Sequence, residues 1–178
     1  MPNDKNKHSG RTSHSINAPI KAVQSWLAGM EFSPENPLID VSQAAPTDPP
    51  PEAMRYAIAD YVQKVPQAHL YGPILGMPEL RTEFSNHWSK TYFCDVGQER
   101  VAITSGCNQA FCAAISAITN EGDNIILPAP WYFNHKMWLD MAGVKTRPLA
   151  CGSDMLPSVH QAEKLIGSKT RAICLISP

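Results

Sequence analysis

From residue 100 onwards, short strand-like segments alternate with longer helix-like segments. The predicted strands are residues 101–103, 125–127, 144–149 and 172–176, and the predicted helices are residues 108–120, 132–141 and 157–166. Strands that are joined through helices run parallel, because each crossover returns the chain to the same end of the sheet. The alternation therefore predicts an α/β fold in which a mostly parallel sheet is flanked by helices.

The first hundred residues have a different pattern, with helices and turns but little strand character. Predicted helices cover residues 18–29, 51–64 and 78–92, a short extended segment covers 38–41, and a proline-rich turn covers 42–51. Residues 1–15 are polar and are predicted to be a disordered tail. Further along, the helix at 108–120 is apolar on nearly every side and is predicted to be buried, with Gly122 as its C-terminal cap.

Composition and charge exclude several classes of function. The net charge is -1, which argues against a nucleic-acid partner. No run of about 18 apolar residues predicts a membrane span, and the polar N-terminus does not resemble a secretory signal. The five cysteines are scattered and contain no CxxC pair. We therefore expect neither a metal site nor a disulfide framework, and a reducing cytoplasm is the predicted location.

A turn of small residues precedes the helix at 108–120. It reads Thr-Ser-Gly-Cys-Asn-Gln-Ala over residues 104–110. Glycine allows close backbone approach, and the main-chain N–H groups of Cys107 and Asn108 can bind an anion at the positive end of the helix. The residues Gly106, Cys107 and Asn108 thus predict a phosphate site. Taken alone, the same turn is also compatible with an ordinary strand–helix connection.

An aromatic pair lies one strand later, in a proline-stiffened loop that reads Pro-Ala-Pro-Trp-Tyr over residues 128–132. An aromatic face can hold a flat ring parallel to itself. A phosphate site beside an aromatic face suits a flat phosphorylated cofactor. Tyr132 is the predicted stacking residue and Trp131 is the alternative, while a core aromatic beneath a loop is the competing interpretation.

Two further motifs accompany these. Residues 69–81 contain the pattern Tyr-x-x-x-x-Gly-x-x-x-Leu-Arg, beginning at Tyr71, and an Asn-His pair occupies positions 134 and 135. Taken in order, the motifs resemble the fold-type I pyridoxal 5'-phosphate (PLP) enzymes, specifically the class I/II aminotransferases related to aspartate aminotransferase. The resemblance covers residues 16–178 and is most specific in residues 70–135.

The resemblance implies a role for each motif. The turn at residues 106–108 would bind the cofactor phosphate, Tyr132 would stack on the pyridine ring, and Tyr71 would reach the cofactor phosphate of the partner subunit in a homodimer. Ala44 and Ala45 stand where the family commonly has glycine, and they are candidate substrate neighbours. The family's histidine supports an aspartate that pairs with the pyridine nitrogen. Because no such aspartate follows here, we expect His135 to be a helix-surface residue or a satisfied core residue.

The implied fold is the N-terminal part of a PLP-dependent transferase large domain, preceded by an N-terminal helical arm. We predict a tail at 1–15, an arm or small-domain segment at 16–50, and an incomplete PLP-binding large domain at 51–178. The family's Schiff-base lysine, its pyridine-nitrogen aspartate, its Asn-Pro segment and its carboxylate-binding arginine would all follow residue 178. The sequence thus offers no catalytic residue, and we expect the chain to be inactive alone.

The implied reaction is PLP-dependent transfer of an amino group from an amino acid to a 2-oxo acid. Alternatives on the same fold are a PLP-dependent C–S lyase or decarboxylase, and a non-catalytic truncated product also stays open. A generic nucleotide-binding module is disfavoured, because neither GxGxxG nor GxxxxGK occurs.

Overall fold

The computed structural model describes residues 10–43 and 45–176. It contains two compact units. One, the sheet unit, comprises the described parts of Met1–Trp26 and Ser105–Pro178, and the other, the helical unit, comprises Leu27–Thr104. The predicted domains at 1–15, 16–50 and 51–178 stay a prediction.

The helices are α1 (Pro19–Trp26), α2 (Glu52–Lys64), α3 (Pro78–Tyr92), α4 (Cys107–Ile118), α5 (Phe133–Ala142) and α6 (Val159–Leu165). The strands are β1 (Asn124–Ala129), β2 (Lys145–Ala150) and β3 (Thr170–Ile173). Short 3-10 helices cover Arg11–His14, Pro66–His69 and Gln98–Arg100. The first of these lies in the predicted tail, where Arg11 pairs with Glu121 at 3.5 Å.

The three strands form one parallel sheet in the order β2-β1-β3, which confirms the predicted α/β class. The central strand β1 is the most deeply buried part of the molecule. Its residues Ile125, Ile126 and Leu127 have no exposed surface. A central parallel strand is covered on both faces, so a continuous apolar run is the pattern it requires.

Each face of β1 packs against a different set of helices. Ile125 and Leu127 join Ile115 of α4 and Leu139 of α5 in one cluster. Ile126 points to the opposite face, where it packs with Leu149 and Ala162. The sheet unit therefore has two thin apolar layers, one on each side of the sheet.

An ion pair closes the amino-terminal end of β1. Asp123 is 1% exposed and accepts hydrogen bonds from Arg171 Nε at 3.0 Å and Nη2 at 3.1 Å. The backbone N–H of Asn120 donates to the same carboxylate at 3.0 Å. The hydrogen bonds from Arg171 hold the pKa of Asp123 below its ordinary value. The pair joins the start of β1 to β3.

Local sequence signals agree with several helix boundaries. Pro78 occupies the first turn of α3, where its missing N–H costs little. The Ser158 side chain caps α6 by accepting a hydrogen bond from the Gln161 N–H at 3.3 Å. Gly143 ends α5 in the left-handed region, with φ of 71°.

Three predictions about the region around α4 were wrong. Residues 101–103 belong to no strand of the described sheet, and the N–H of Ile103 donates to Leu75 O instead. The C-cap of α4 is Thr119, whereas Gly122, with φ of 86°, forms the following turn and donates its N–H to Gly143 O. Finally, Ile115 is the sole buried residue of α4, because only one face of this apolar helix packs on the sheet.

Side chains of the helical unit donate hydrogen bonds to its backbone. Arg81 donates from Nε to Val101 O and from Nη2 to Gln98 O, both at 2.8 Å. Gly76 has φ of 98°, and a Cβ there would lie 2.6 Å from Ile103 Cγ1, so only glycine fits. These contacts fix the ends of the loop that follows Tyr71.

Candidate functional site

The N-terminus of α4 presents backbone donors at an open surface. Gly106 is its N-cap, with φ of 90° and ψ of 171°. A Cβ at Gly106 would meet nothing within 4 Å, so its positive φ, not crowding, is what requires glycine. Cys107 and Asn108 are exposed in the first helical turn, where backbone N–H groups have no acceptor in the helix itself.

The turn is fixed from within its own segment. The Ser105 N–H donates to Gln109 Oε1 at 2.5 Å, and the Ala110 N–H donates to Gly106 O at 3.3 Å. The Gln109 side chain thus ties the first turn of α4 to the backbone that precedes the helix. Exposed backbone amides at a helix N-terminus suit an anion.

Tyr132 lies beside this turn. Its Oη accepts a hydrogen bond from Asn134 Nδ2 at 2.7 Å, and Asn108 Nδ2 approaches the same oxygen at 3.4 Å. The side chain is 40% exposed, which leaves part of the ring accessible to a ligand. Trp131, the alternative stacking residue, is instead packed against the apolar cluster around Leu127. The structure thus brings Tyr132 and residues 106–108 together.

His135 is buried behind Tyr132. It is 5% exposed, its ring stacks on Phe111 at a centroid distance of 3.9 Å, and the Tyr132 ring meets it edge-on at 5.1 Å. Burial lowers the pKa of His135. Its Nε2 has no hydrogen-bond partner among residues 10–43 and 45–176. The expectation of a surface or satisfied histidine was therefore wrong.

Two neighbours of His135 were missed by the sequence analysis. Phe111 stacks on its ring, and Cys174 Sγ lies 3.9 Å from its Nδ1. Phe111 follows Cys107 by one helical turn and therefore shares its face of α4. That spacing is a sequence signal that Phe111 lies next to the predicted phosphate turn. Nothing local in the sequence points to the second, because Cys174 follows a different strand.

A cavity of about 560 Å³ opens beside Tyr132 at the carboxyl ends of the strands. Pro130, Leu156 and Ile176 contribute to its largely apolar wall. Ligands of parallel α/β sheets commonly bind at this edge.

The remaining predicted residues belong to the helical unit or lie outside the described residues. Tyr71 is fully exposed and has no hydrogen-bond partner in the described part of the chain. Ala45 is exposed and lies outside the helices and strands. Ala44 lies outside the described residues.

Neither a clustered metal centre nor a membrane-spanning helix is found among the described residues. These residues contain no group of three or more His, Cys, Asp or Glu side chains that could hold a metal ion. None of the helices in the described ranges has both the length and the apolar character that a bilayer crossing requires.

Comparison with known protein families gives one match over most of the chain. Residues 36–178 match the model of aminotransferase class I and II.

Two curated relatives have the same sequence identity to this chain. A probable aspartate aminotransferase of Methanocaldococcus jannaschii is 27% identical over 61% of this chain and 29% of its own length. The aspartate aminotransferase of Streptomyces avermitilis is 27% identical over 80% of this chain and 35% of its own length. The chain thus spans about a third of the length of these relatives.

Solved structures share the fold. Aspartate aminotransferase from Thermotoga maritima superposes with a TM-score of 0.79 at 23% identity, covering 93% of this chain and 44% of that one. Tyrosine aminotransferase from Leishmania infantum has a TM-score of 0.63 at 30% identity, covering 69% of this chain and 35% of that one.

Proposed function

The chain belongs to the class I and II aminotransferase family, and from this premise we propose that it forms part of a PLP site. The reaction we propose is transfer of an amino group from an amino acid to a 2-oxo acid. PLP would supply the electron sink for cleavage of a bond at the amino acid's α-carbon. The residues of this chain would bind the cofactor and orient it.

The observation that carries this proposal is the junction between the α4 turn and Tyr132. Asn108 Nδ2 lies 3.4 Å from Tyr132 Oη, so the anion-binding turn and the aromatic ring belong to one surface. A phosphate at residues 106–108 would receive backbone N–H donors and the favourable end of the helix dipole. The cofactor ring would then lie against Tyr132, where stacking contributes about 0.5–1.5 kcal/mol.

We further propose that His135 is a positioning residue for this site. Its lowered pKa favours the neutral imidazole, and its buried Nε2 is available to a polar group. In this role it would hold the family's aspartate, which pairs with the pyridine nitrogen of the cofactor, as the resemblance implies. Its stacking on Phe111 fixes the orientation of the ring.

The assembly we propose is a homodimer with shared sites. Tyr71 has a fully exposed phenol that could donate a hydrogen bond to the cofactor phosphate of the partner subunit. We assign Ala44 and Ala45 to the neighbourhood of the amino-acid and 2-oxo-acid substrates. The cytoplasm is the proposed location, which suits five cysteines that are all free thiols.

Binding of pyridoxamine 5'-phosphate tests the site without requiring a lysine. Calorimetric titration should show binding to the full chain, whereas pyridoxamine without its phosphate should bind at least tenfold more weakly. Cys107→Pro should lower the affinity for the phosphorylated ligand about tenfold to a hundredfold, since one hydrogen bond to a charged group contributes about 1.5–3 kcal/mol. Proline is tolerated at the first helical position, so the helix should persist.

Cys107→Ala is the matched control, because it removes the thiol and keeps the N–H. Equal affinities for the two ligands, or equal losses in the proline and alanine variants, would contradict the proposed phosphate site. For the ring, Tyr132→Ala should weaken binding more than Tyr132→Phe, which keeps the aromatic face. The reaction itself is tested by measuring formation of the new 2-oxo acid in the protein that contains this chain.

A further inference from the structure

A second cavity, of about 420 Å³, opens at the amino-terminal ends of the strands. Its wall includes Asn124 and Lys145, the first residues of β1 and β2, and the loop at residues 167–169 that leads into β3. β1 has six residues, so at about 3.3 Å per residue its two ends lie about 17 Å apart. A cofactor bound beside Tyr132, at the carboxyl ends of the strands, would therefore leave this cavity free.

The side chains around this cavity carry positive charge. Lys145, Arg147 and Lys169 contribute to its wall, whereas none of the described residues that line it is an aspartate or a glutamate. Asp123, which precedes β1, is 1% exposed and accepts two hydrogen bonds from Arg171. Lys169 Nζ lies a further 3.9 Å from its Oδ1. Because that carboxylate is already paired, the cavity presents positive charge that no lining side chain compensates.

Arg147 is the least exposed of these cations. It is partly buried in β2 and has no hydrogen-bond or ion-pair partner within residues 10–43 and 45–176. A Cβ at Gly167 would lie 3.9 Å from Arg147 Nη1, so the guanidinium lies beside a residue that has no side chain. A guanidinium presents a planar fork of N–H donors that matches the oxygens of a carboxylate or a phosphate. Arg147 therefore offers its donors to an oxyanion in the cavity.

A buried amide adds further donors to the cavity wall. Asn124 is 7% exposed, and its Oδ1 accepts a hydrogen bond from Thr170 Oγ1 at 2.8 Å. The Gly167 N–H donates to the same hydroxyl at 3.0 Å, which leaves the hydroxyl proton for Asn124 and fixes the orientation of the amide. Asn124 Nδ2 then has no acceptor in the described part of the chain. Buried polar groups normally have a hydrogen-bond partner, so a ligand with acceptor oxygens suits this position.

We propose that this cavity binds a phosphate-bearing small molecule, with Arg147 and Asn124 as hydrogen-bond donors and Lys145 as a further positive charge. The site is separate from the proposed cofactor site and does not depend on the transamination reaction. Arginine binds phosphate through charge-assisted hydrogen bonds, and three cations in one wall favour a multiply charged anion over a single carboxylate. A cavity of about 420 Å³ is of the size that holds small organic ligands, so it has room for more than one phosphate group.

Calorimetric titration of the full chain with inorganic pyrophosphate tests the proposal. The Cys107→Pro variant is the background for the titration, because the proline removes a donor from the proposed cofactor phosphate site. Pyrophosphate should still bind in that background, and Arg147→Gln should weaken the binding at least about tenfold, since hydrogen bonds to a charged group are lost. Arg55→Gln removes an exposed arginine of α2 in the helical unit. It is the matched control and should leave the affinity unchanged.

Lys145→Gln gives a second test at an exposed position, where the change should not disturb folding. It should weaken pyrophosphate binding severalfold, and the loss should shrink at high salt, because ions screen an exposed charge. Separate titrations with inorganic phosphate and glycerol 3-phosphate distinguish a free phosphate ion from a phosphorylated organic molecule.

Two results would overturn the proposal. One is equal pyrophosphate affinity in the Arg147→Gln and Arg55→Gln variants. The other is a lack of pyrophosphate binding in the Cys107→Pro background while its circular dichroism spectrum is that of the unchanged protein.

Discussion

The sheet unit and the helical unit differ most in burial. In the sheet unit, β1 contains three consecutive residues with no exposed surface, and Leu139 and Leu149 are buried against its two faces. In the helical unit, none of the described residues is buried, although α2 and α3 are regular helices of 13 and 15 residues. Regular secondary structure and a packed core are therefore separate properties in this chain.

The difference shows what local sequence signals determine. Apolar residues recur at helical spacing along α2, yet Ile58 and Tyr61 are 53% and 51% exposed. Spacing defines which residues share a face, but only another element can cover that face. Most helical stability in proteins comes from such packing. We therefore expect the two units to respond differently to the same kind of change.

The largest difference should come from removing apolar side chains. Leu127→Ala should lower the free energy of unfolding by about 2–5 kcal/mol, because it leaves a cavity in the packed layer around β1. Ile58→Ala should change it by less than about 0.5 kcal/mol, since its side chain is already half in water. Denaturant titration of both variants measures the two effects. Similar losses would show that the exposed face of α2 is covered in solution.

Acid should destabilise the sheet unit by protonating Asp123. The pKa of Asp123 is lowered in the folded protein, so its stabilising contribution is complete above the unfolded value of about 3.9. That contribution is lost as the pH falls through the folded pKa. Asp123→Asn should therefore flatten the dependence of unfolding free energy on pH in this acidic range. Glu83→Gln, at an exposed position of α3 in the helical unit, is the matched control for removing one carboxylate.

Smaller effects are expected at two glycines with positive φ. Gly143→Ala should cost about 1–2 kcal/mol, because a left-handed residue with a Cβ is strained, and the new atom would also lie 2.8 Å from Glu121 Cγ. Gly29→Ala has a similar φ of 81° but meets nothing within 4 Å. Its cost should be limited to the backbone strain. Thermal melts of the two variants measure the two losses of stability. A larger loss for Gly29→Ala would contradict the idea that the sheet unit dominates stability.

The smallest effect on stability is expected at Tyr71. Tyr71→Phe should change the free energy of unfolding by less than about 0.5 kcal/mol, since the hydroxyl is exposed. In the protein that contains this chain, the same change should weaken cofactor binding about tenfold or more if the phenol reaches a phosphate. Comparing the melting curve with a cofactor titration separates the two roles. Unchanged affinity would remove Tyr71 from the proposed site.

Local chemistry made much of the fold predictable. The predicted helix at 78–92 matches α3 residue for residue, and Gly143 ends α5 as expected. The continuous apolar run at 125–127 lies within the buried central strand. Errors arose where the outcome depends on a distant partner. Residues 101–103 have strand-forming side chains but no neighbouring strand among the described residues, and α4 is apolar but covered on one face.

The candidate site likewise has one part that local sequence motifs predict and one part that depends on distant residues. The turn at 106–108 and Tyr132 could be proposed from short motifs, because glycine, small residues and an aromatic next to proline each have local chemical meanings. The burial of His135 could not, because it depends on Phe111 and Cys174, which come from two other elements. The roles of Tyr71, Ala44 and Ala45 stay predictions.

The strand order β2-β1-β3 also has a consequence for how the sheet unit folds. Asn124 pairs with Lys145 on one side and with Thr170 on the other, which is about twice as far along the chain. Closing a loop of twice the length costs only about 0.6 kcal/mol more, yet the nearer contact should still form first. We expect β1, α5 and β2 to make up the earliest native substructure. The addition of β3, with the pairing of Arg171 to Asp123, would then be the late step of folding.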